Sequence, residues 1–150
     1  IAEYGSLNNC FLQGLKEEDK TVLSAALNFA KNLNDLAKNR CSSLVPSPIG
    51  GSAFKRLNLY LRWMVRRDNV DPGGWIGVSS SKLIIPLDTH MYRISLKLGF
   101  TERKQADIRT AMEITSALKK FDRDDPVKYD FALTRLGMNK VEEVFLKKYI

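Results

Sequence analysis

Apolar residues recur at every third or fourth position between residues 17 and 39, the spacing that puts side chains on one face of an α-helix. The repeating residues are Val22, Ala25, Ala26, Phe29, Leu33 and Leu36. This pattern predicts an amphipathic helix over residues 17–39. Residues 41–52 are rich in Ser, Pro and Gly, which break helices, so they predict a loop.

A second helix is predicted over residues 53–67, which contain no Pro or Gly, with Ser52 as its N-terminal cap. Turn-forming residues over 68–81 end that helix. The apolar run over residues 82–87 contains Pro86, and proline is rarely found in a central strand. These residues are therefore predicted to form a buried turn.

Four more helices are predicted in the remainder of the chain. The first opens at Asp88 or Thr89 and ends before Gly99. The others cover residue 101 to about 121, the stretch from the cap-proline pair Asp125-Pro126 to Gly137, and residues 141–149. Because no segment alternates like a strand and no repeat or linker is visible, we predict one all-α domain over residues 1–150.

Composition agrees with one globular domain, since 44% of the 150 residues are hydrophobic and 27% are charged. The longest uncharged run, residues 41–54, contains two prolines and is shorter than the ~20 residues that span a bilayer. The first residues lack the basic segment and apolar core of a signal peptide. We therefore expect a cytoplasmic protein without membrane contact.

The sequence contains no motif that indicates a metal site or a cofactor-dependent enzyme. Cys10 and Cys41 have no second Cys or His nearby in the sequence, and a single histidine, His90, cannot build a multi-His metal site. Phosphate-binding glycine motifs of nucleotide enzymes are absent. We expect neither a metal nor a cofactor.

Net charge is +7, and the excess lies in residues 51–100, which hold eight basic and three acidic residues. On the helix predicted over 53–67, Lys55, Arg62 and Arg66 fall within about 40° of one another, with no acidic residue between them. A solvated helix face is the simpler interpretation. The alternative is contact with nucleic-acid phosphate, helped by the Gly50-Gly51-Ser52 turn before the helix.

Two further positions each allow a structural and a functional interpretation. Asp88 can be a plain helix cap, or a carboxylate that stabilises a cationic transition state or orients a nucleophile. Trp75 follows a Pro-Gly-Gly turn and is predicted to pack in the core, the alternative being a stacking contact with an exposed base. His90 is expected to be a structural hydrogen-bonding residue.

Five motifs together resemble an uncharacterised prokaryotic family known as domain of unknown function family 2400. They are GSAFKRLNLYLRWMVR at 51–66, VDPGGW at 70–75, LIIPLDTH at 83–90, RKQAD at 103–107 and DPVKYDFAL at 125–133. The resemblance is strong over residues 44–138 and looser before them. It implies that the chain corresponds to the C-terminal part of the family's full-length domain.

That family in turn resembles, remotely, the helix-hairpin-helix DNA glycosylases, including endonuclease III. Their hairpin is matched by residues 45–51, and their V-D-T-H segment, whose Asp is catalytic, by Leu87-Asp-Thr-His90. The resemblance implies that Asp88 is catalytic and that the turn at Gly50, Gly51 and Ser52 binds a phosphate. The lyase lysine of bifunctional members would fall at Ser52, and Lys55, one turn further along, is the candidate for it.

The leading hypothesis is therefore a DNA-binding, base-excision-repair glycosylase-like protein that acts on a damaged or extruded base. Asp88 and Lys55 are its catalytic candidates. The phosphate-contact candidates are Gly50, Gly51, Ser52, Lys55, Arg62 and Arg66. The alternative is a non-catalytic helical module that binds nucleic acid or protein, in which Asp88 only caps its helix.

Overall fold

The computed structural model describes residues 3–37 and 51–138. Gly50, most of the loop predicted over 41–52 and the helix predicted over 141–149 lie outside these residues. Within them the α-helices are α1 (Leu7–Leu12), α2 (Leu23–Leu36), α3 (Lys55–Val65), α4 (Thr89–Lys97), α5 (Ile108–Leu118) and α6 (Asp130–Met138). The described part contains no strand, which confirms the prediction of an all-α fold.

The core is built from one apolar face of each of the first five helices and from the segment before α4. Residues 83–87 are all buried and form no strand, so their predicted burial is confirmed, but they form no turn either. Trp75 packs against the rings of Phe11, Phe29 and Tyr60, with centroid distances of 5.3, 6.0 and 5.6 Å. The prediction of a core role for Trp75 is confirmed.

Two helices begin later than their apolar patterns predict, because polar side chains fix a turn in front of them. Before α2, Asp19 accepts hydrogen bonds from the Lys16 backbone N–H at 3.0 Å and from the Ser24 hydroxyl at 2.7 Å. Before α5, Asp107 accepts one from the Thr110 backbone N–H at 2.9 Å. The predicted starts at residues 17 and 101 are therefore wrong.

The segment before α6 also differs from its prediction. Pro126–Tyr129 forms a 3-10 helix, and the Asp125 carboxylate caps nothing, since it binds Arg66 on α3 instead. Gly137 does not close α6 but lies within it, against the start of α4. A Cβ atom at this position would lie 2.7 Å from the His90 carbonyl oxygen, so only glycine permits this close approach.

Gly137→Ala is expected to lower the free energy of unfolding by about 1–3 kcal/mol, because the added methyl group must push α6 away from α4. Urea-induced unfolding followed by circular dichroism measures the loss. Leu136→Ala, on the exposed side of the same helix, is the matched control. A Gly137→Ala variant as stable as the wild type would show that α6 can move away from α4 without loss of unfolding free energy.

Candidate functional site

A groove runs between α3 and α6. On each helix the residues that line it recur every three or four positions. Lys55, Leu59 and Arg62 line it from α3, and Phe131, Thr134, Arg135 and Met138 line it from α6. Pro86, Asp88 and Asp130 close the remaining side. The cavity has a volume of about 230 Å³, so it is large enough for a small ring system.

Asp88 and Lys55 meet in this cavity. Asp88 is the N-terminal cap of α4, where its Oδ1 accepts a hydrogen bond from the Met91 backbone N–H at 2.8 Å. Its Oδ2 lies 3.3 Å from the Lys55 ammonium nitrogen. The side chains remain 49% exposed for Lys55 and 19% for Asp88, so both can be reached from the cavity. The capping role predicted for Asp88 is confirmed, and it uses only one of the two carboxylate oxygens.

The turn that precedes α3 differs from the predicted Ser52 cap. The cap position is Phe54, a buried residue with φ of 51°, which is a conformation uncommon outside glycine. Ser52 accepts a hydrogen bond from the Phe54 N–H at 3.2 Å, and the Phe54 side chain itself makes no capping hydrogen bond to α3. Gly51 also has a positive φ, of 72°. This helix end carries a partial positive charge and lies next to Lys55.

Arg62 and Arg66 do not form the exposed basic stripe that the sequence predicts. Their side chains are only 6% and 7% exposed. Arg62 donates to Asp71 at 2.9 and 3.1 Å and also pairs with Asp130. A DNA phosphate could reach this guanidinium only by displacing a carboxylate.

The Arg66 guanidinium binds three carboxylates. It donates to Asp125 at 2.9 and 3.0 Å and to Asp68 at 2.7 Å, and it pairs with Asp71 as well. Burial lowers the pKa of Arg66, but these hydrogen bonds outweigh that effect and raise the pKa above its usual range. The two arginines thus join α3 to the 68–71 turn and to α6, and their charge is neutralised inside the fold.

Asp130 brings this ion-pair network to the wall of the cavity. It accepts a hydrogen bond from the Thr134 hydroxyl at 3.2 Å in addition to its pair with Arg62. Burial raises the pKa of Asp130, and the nearby Asp88 raises it further, against the lowering effect of Arg62. The cavity therefore contains two carboxylates, of which only Asp88 faces a lysine.

Asp68 gives the network a dependence on pH. Hydrogen bonds from the Asp71 and Val70 backbone N–H groups, aided by Arg66, lower the pKa of Asp68 from 3.8 to about 2. A lowered folded-state pKa stabilises the fold above pH 4, and this contribution disappears as pH falls towards 2. We expect Asp68→Asn to be less stable than wild type at neutral pH and to lose less stability between pH 4 and 2. Urea unfolding over this range tests it, and two parallel acid profiles would contradict it.

Residues on α6 form a cavity wall that sequence analysis missed. Phe131 and Met138 are 46% and 62% exposed, and the Arg135 guanidinium lies 5.4 Å from the centre of the Phe131 ring. Their spacing of four and three residues is a signal in the sequence. It does not identify a site by itself, since the same spacing is typical of any buried helix face.

The family model described as Protein of unknown function (DUF2400) matches residues 1–139. The chain belongs to the DUF2400 family. No curated protein and no solved structure matches it. The family inferred from the five motifs is thus confirmed, and the similarity to helix-hairpin-helix glycosylases stays a prediction.

The single histidine of this DUF2400 chain contacts the backbone of α6. His90 Nδ1 lies 3.1 Å from the Gly137 carbonyl oxygen, a contact that ties α4 to α6. Among residues 3–37 and 51–138, no group of three His, Cys, Asp or Glu is arranged to hold a metal. None of the described helices is long and apolar enough to cross a membrane.

Proposed function

We propose that this chain is a DNA-binding, glycosylase-like domain of base-excision repair, with Asp88 and Lys55 as its reactive groups. The observation that supports this is their meeting at 3.3 Å in an accessible cavity. The two residues are 33 positions apart in the sequence and belong to different helices, so a local charge pattern does not explain their proximity.

Asp88 supplies the charge that base release requires. When the bond between a base and C1′ of the sugar breaks, the base departs with the bonding electrons and positive charge develops on the sugar. A carboxylate fixed by the Met91 N–H and accessible through its other oxygen can stabilise that charge or orient the attacking water.

Lys55 can act as a nucleophile on the same sugar carbon. Its neutral amine would add to C1′ of the ring-opened sugar and lose water to give an imine. Transfer of a C2′ proton to water then allows the 3′ phosphate to leave by β-elimination. Asp88 is the group within reach that can accept the proton of the ammonium. This assigns to Lys55 the role of the lyase lysine in bifunctional helix-hairpin-helix glycosylases.

In the proposed function, DNA binding depends on the start of α3. The positively polarised start of α3, which follows Gly51 and Ser52, and the half-exposed Lys55 together suit one phosphate. An extruded base would lie against Phe131 and Met138, which give the cavity an apolar wall. Arg62 contributes by fixing α3 to Asp130 of α6, and Arg66 by fixing the end of α3 to Asp125, rather than by touching DNA.

The non-catalytic binding module remains the second candidate, since the Asp88–Met91 hydrogen bond alone accounts for an Asp at this position. The two candidates differ in what Lys55 must do. A binding module needs only its positive charge. A lyase needs an amine that forms a covalent bond.

Borohydride reduction of the protein with duplex DNA that contains an abasic site tests the proposal. Wild type is expected to form a covalent protein–DNA product, because borohydride reduces an imine to a stable amine. Lys55→Arg keeps the charge and should form none, whereas Lys31→Arg on the exposed side of α2 should cross-link like wild type. If Lys55→Arg is trapped as well as wild type, Lys55 is not the nucleophile. If wild type and both variants bind DNA but none is trapped, the non-catalytic binding module is favoured.

A further inference from the structure

A second cavity of about 180 Å³ lies on the other side of α6. It is lined by Phe100, Leu118, Phe121, Tyr129 and Leu133. The Phe121 ring is 6.0 Å from Phe100 and 6.5 Å from Tyr129, yet Phe121 is 67% exposed. A large aromatic side chain thus forms the edge of an open apolar hollow, which is a recurrent feature of binding surfaces.

This hollow is separate from the cavity that holds Lys55 and Asp88. Phe131 and Leu133, which line the two cavities, are two positions apart on α6 and therefore point about 200° apart around the helix axis. No residue lines both cavities. A molecule bound at Phe121 would leave the Lys55 side of α6 open.

Unpaired positive charge exceeds unpaired negative charge in the segment around Phe121. Lys119, Lys120 and Arg123 flank it in the sequence, and none of them forms an ion pair within the part of the chain that the structure describes. Among the neighbouring acidic residues, Asp122 pairs with Lys128 and Asp125 with Arg66, which leaves the exposed Asp124 to offset part of this positive charge. Burial and the neighbouring Arg123 both lower the pKa of Lys119, consistent with crowded like charges.

We propose that this surface binds an acidic segment of another protein that inserts one phenylalanine or leucine beside Phe121. An apolar cavity of about 150 Å³ accepts a benzene ring, so one large side chain fits here. The flanking cations would attract acidic residues on either side of that anchor.

A nucleic-acid base is a poorer occupant of this hollow. Of the lining side chains, only Tyr129 carries a polar atom, and the other four offer hydrocarbon alone. The edge groups of a buried base would lack hydrogen-bond partners, which costs free energy, whereas a phenyl or isobutyl group has none to satisfy.

Fluorescence anisotropy with a short labelled peptide tests the proposal. The probe carries one phenylalanine between two pairs of aspartates, and its controls replace the phenylalanine by serine or the aspartates by asparagine. The parent peptide is expected to bind at least about tenfold more tightly than either control, and its affinity should fall with added salt. Equal binding of all three peptides, or no binding of the parent, would overturn the proposal.

Variants of the exposed residues locate the binding. Phe121→Ser and the double variant Lys120→Glu/Arg123→Glu should each weaken peptide binding about tenfold or more, while Lys31→Glu should not change it. Circular dichroism verifies the fold of each variant. Binding of labelled oligothymidylate that Phe121→Ser weakens, or loss of peptide binding through self-association at this face, would identify a different occupant and overturn the proposal. Neither outcome depends on the chemistry of Lys55.

Discussion

Asp88→Asn is expected to reduce base release from damaged duplex DNA by about 100-fold or more, because a positioned carboxylate is lost from the reacting centre. The amide keeps the size of the side chain, and its oxygen can still accept the Met91 N–H hydrogen bond at the start of α4. DNA affinity should hold or rise, since a negative charge near phosphate has been removed. Single-turnover assays of base release and titrations with the same duplex measure the two effects.

Asp107→Asn supplies a matched control for this change. Asp107 caps α5 as Asp88 caps α4, and its Oδ1 accepts the Thr110 N–H at 2.9 Å, but it does not line the cavity. Each substitution should cost at most about 1 kcal/mol of unfolding free energy, the typical scale of a lost cap. If the two variants keep equal base-release activity, Asp88 is only a cap and the glycosylase assignment fails.

Local signals in the sequence were sufficient for the elements that carry the site. Asp88 at the start of a helix and the uninterrupted run 53–67 both follow from short-range preferences, and both appear in the structure as α4 and α3. The approach of Lys55 to Asp88 could not be read from such preferences. It depends on how α3 and α4 pack across the buried segment 83–87.

The two arginines show why charge on one helix is an incomplete guide to surface charge. Their stripe has no acidic residue between positions 55 and 67, so a helix viewed alone looks basic. The neutralising carboxylates come from Asp71 in the following turn and from Asp125 and Asp130 near α6, about 60 residues further along. Only tertiary structure brings them together, as it also brings Gly137 against His90.

Arg62→Met is expected to lower the free energy of unfolding by about 3–5 kcal/mol, the largest effect on stability that we predict. The substitution keeps most of the side-chain length but leaves the carboxylates of Asp71 and Asp130, which are 0% and 6% exposed, without their shared cation. Urea unfolding at neutral pH measures the loss. Lys55→Met, at a half-exposed position on the same face of α3, should cost no more than about 1 kcal/mol.

The salt dependence of DNA binding also distinguishes Arg62 from Lys55, but here the larger effect is expected for Lys55. The sequence alone predicts phosphate contacts from Lys55, Arg62 and Arg66, so that loss of the two arginines would flatten the dependence of affinity on salt. Because both guanidinium groups are enclosed by carboxylates, we expect a folded Arg62→Lys variant to keep the wild-type slope. Lys55→Met should reduce the slope by about 0.9, the value for one neutralised phosphate. If the salt slope changes in Arg62→Lys and not in Lys55→Met, the buried ion pairs must open when DNA binds. The arginines would then be the phosphate contacts.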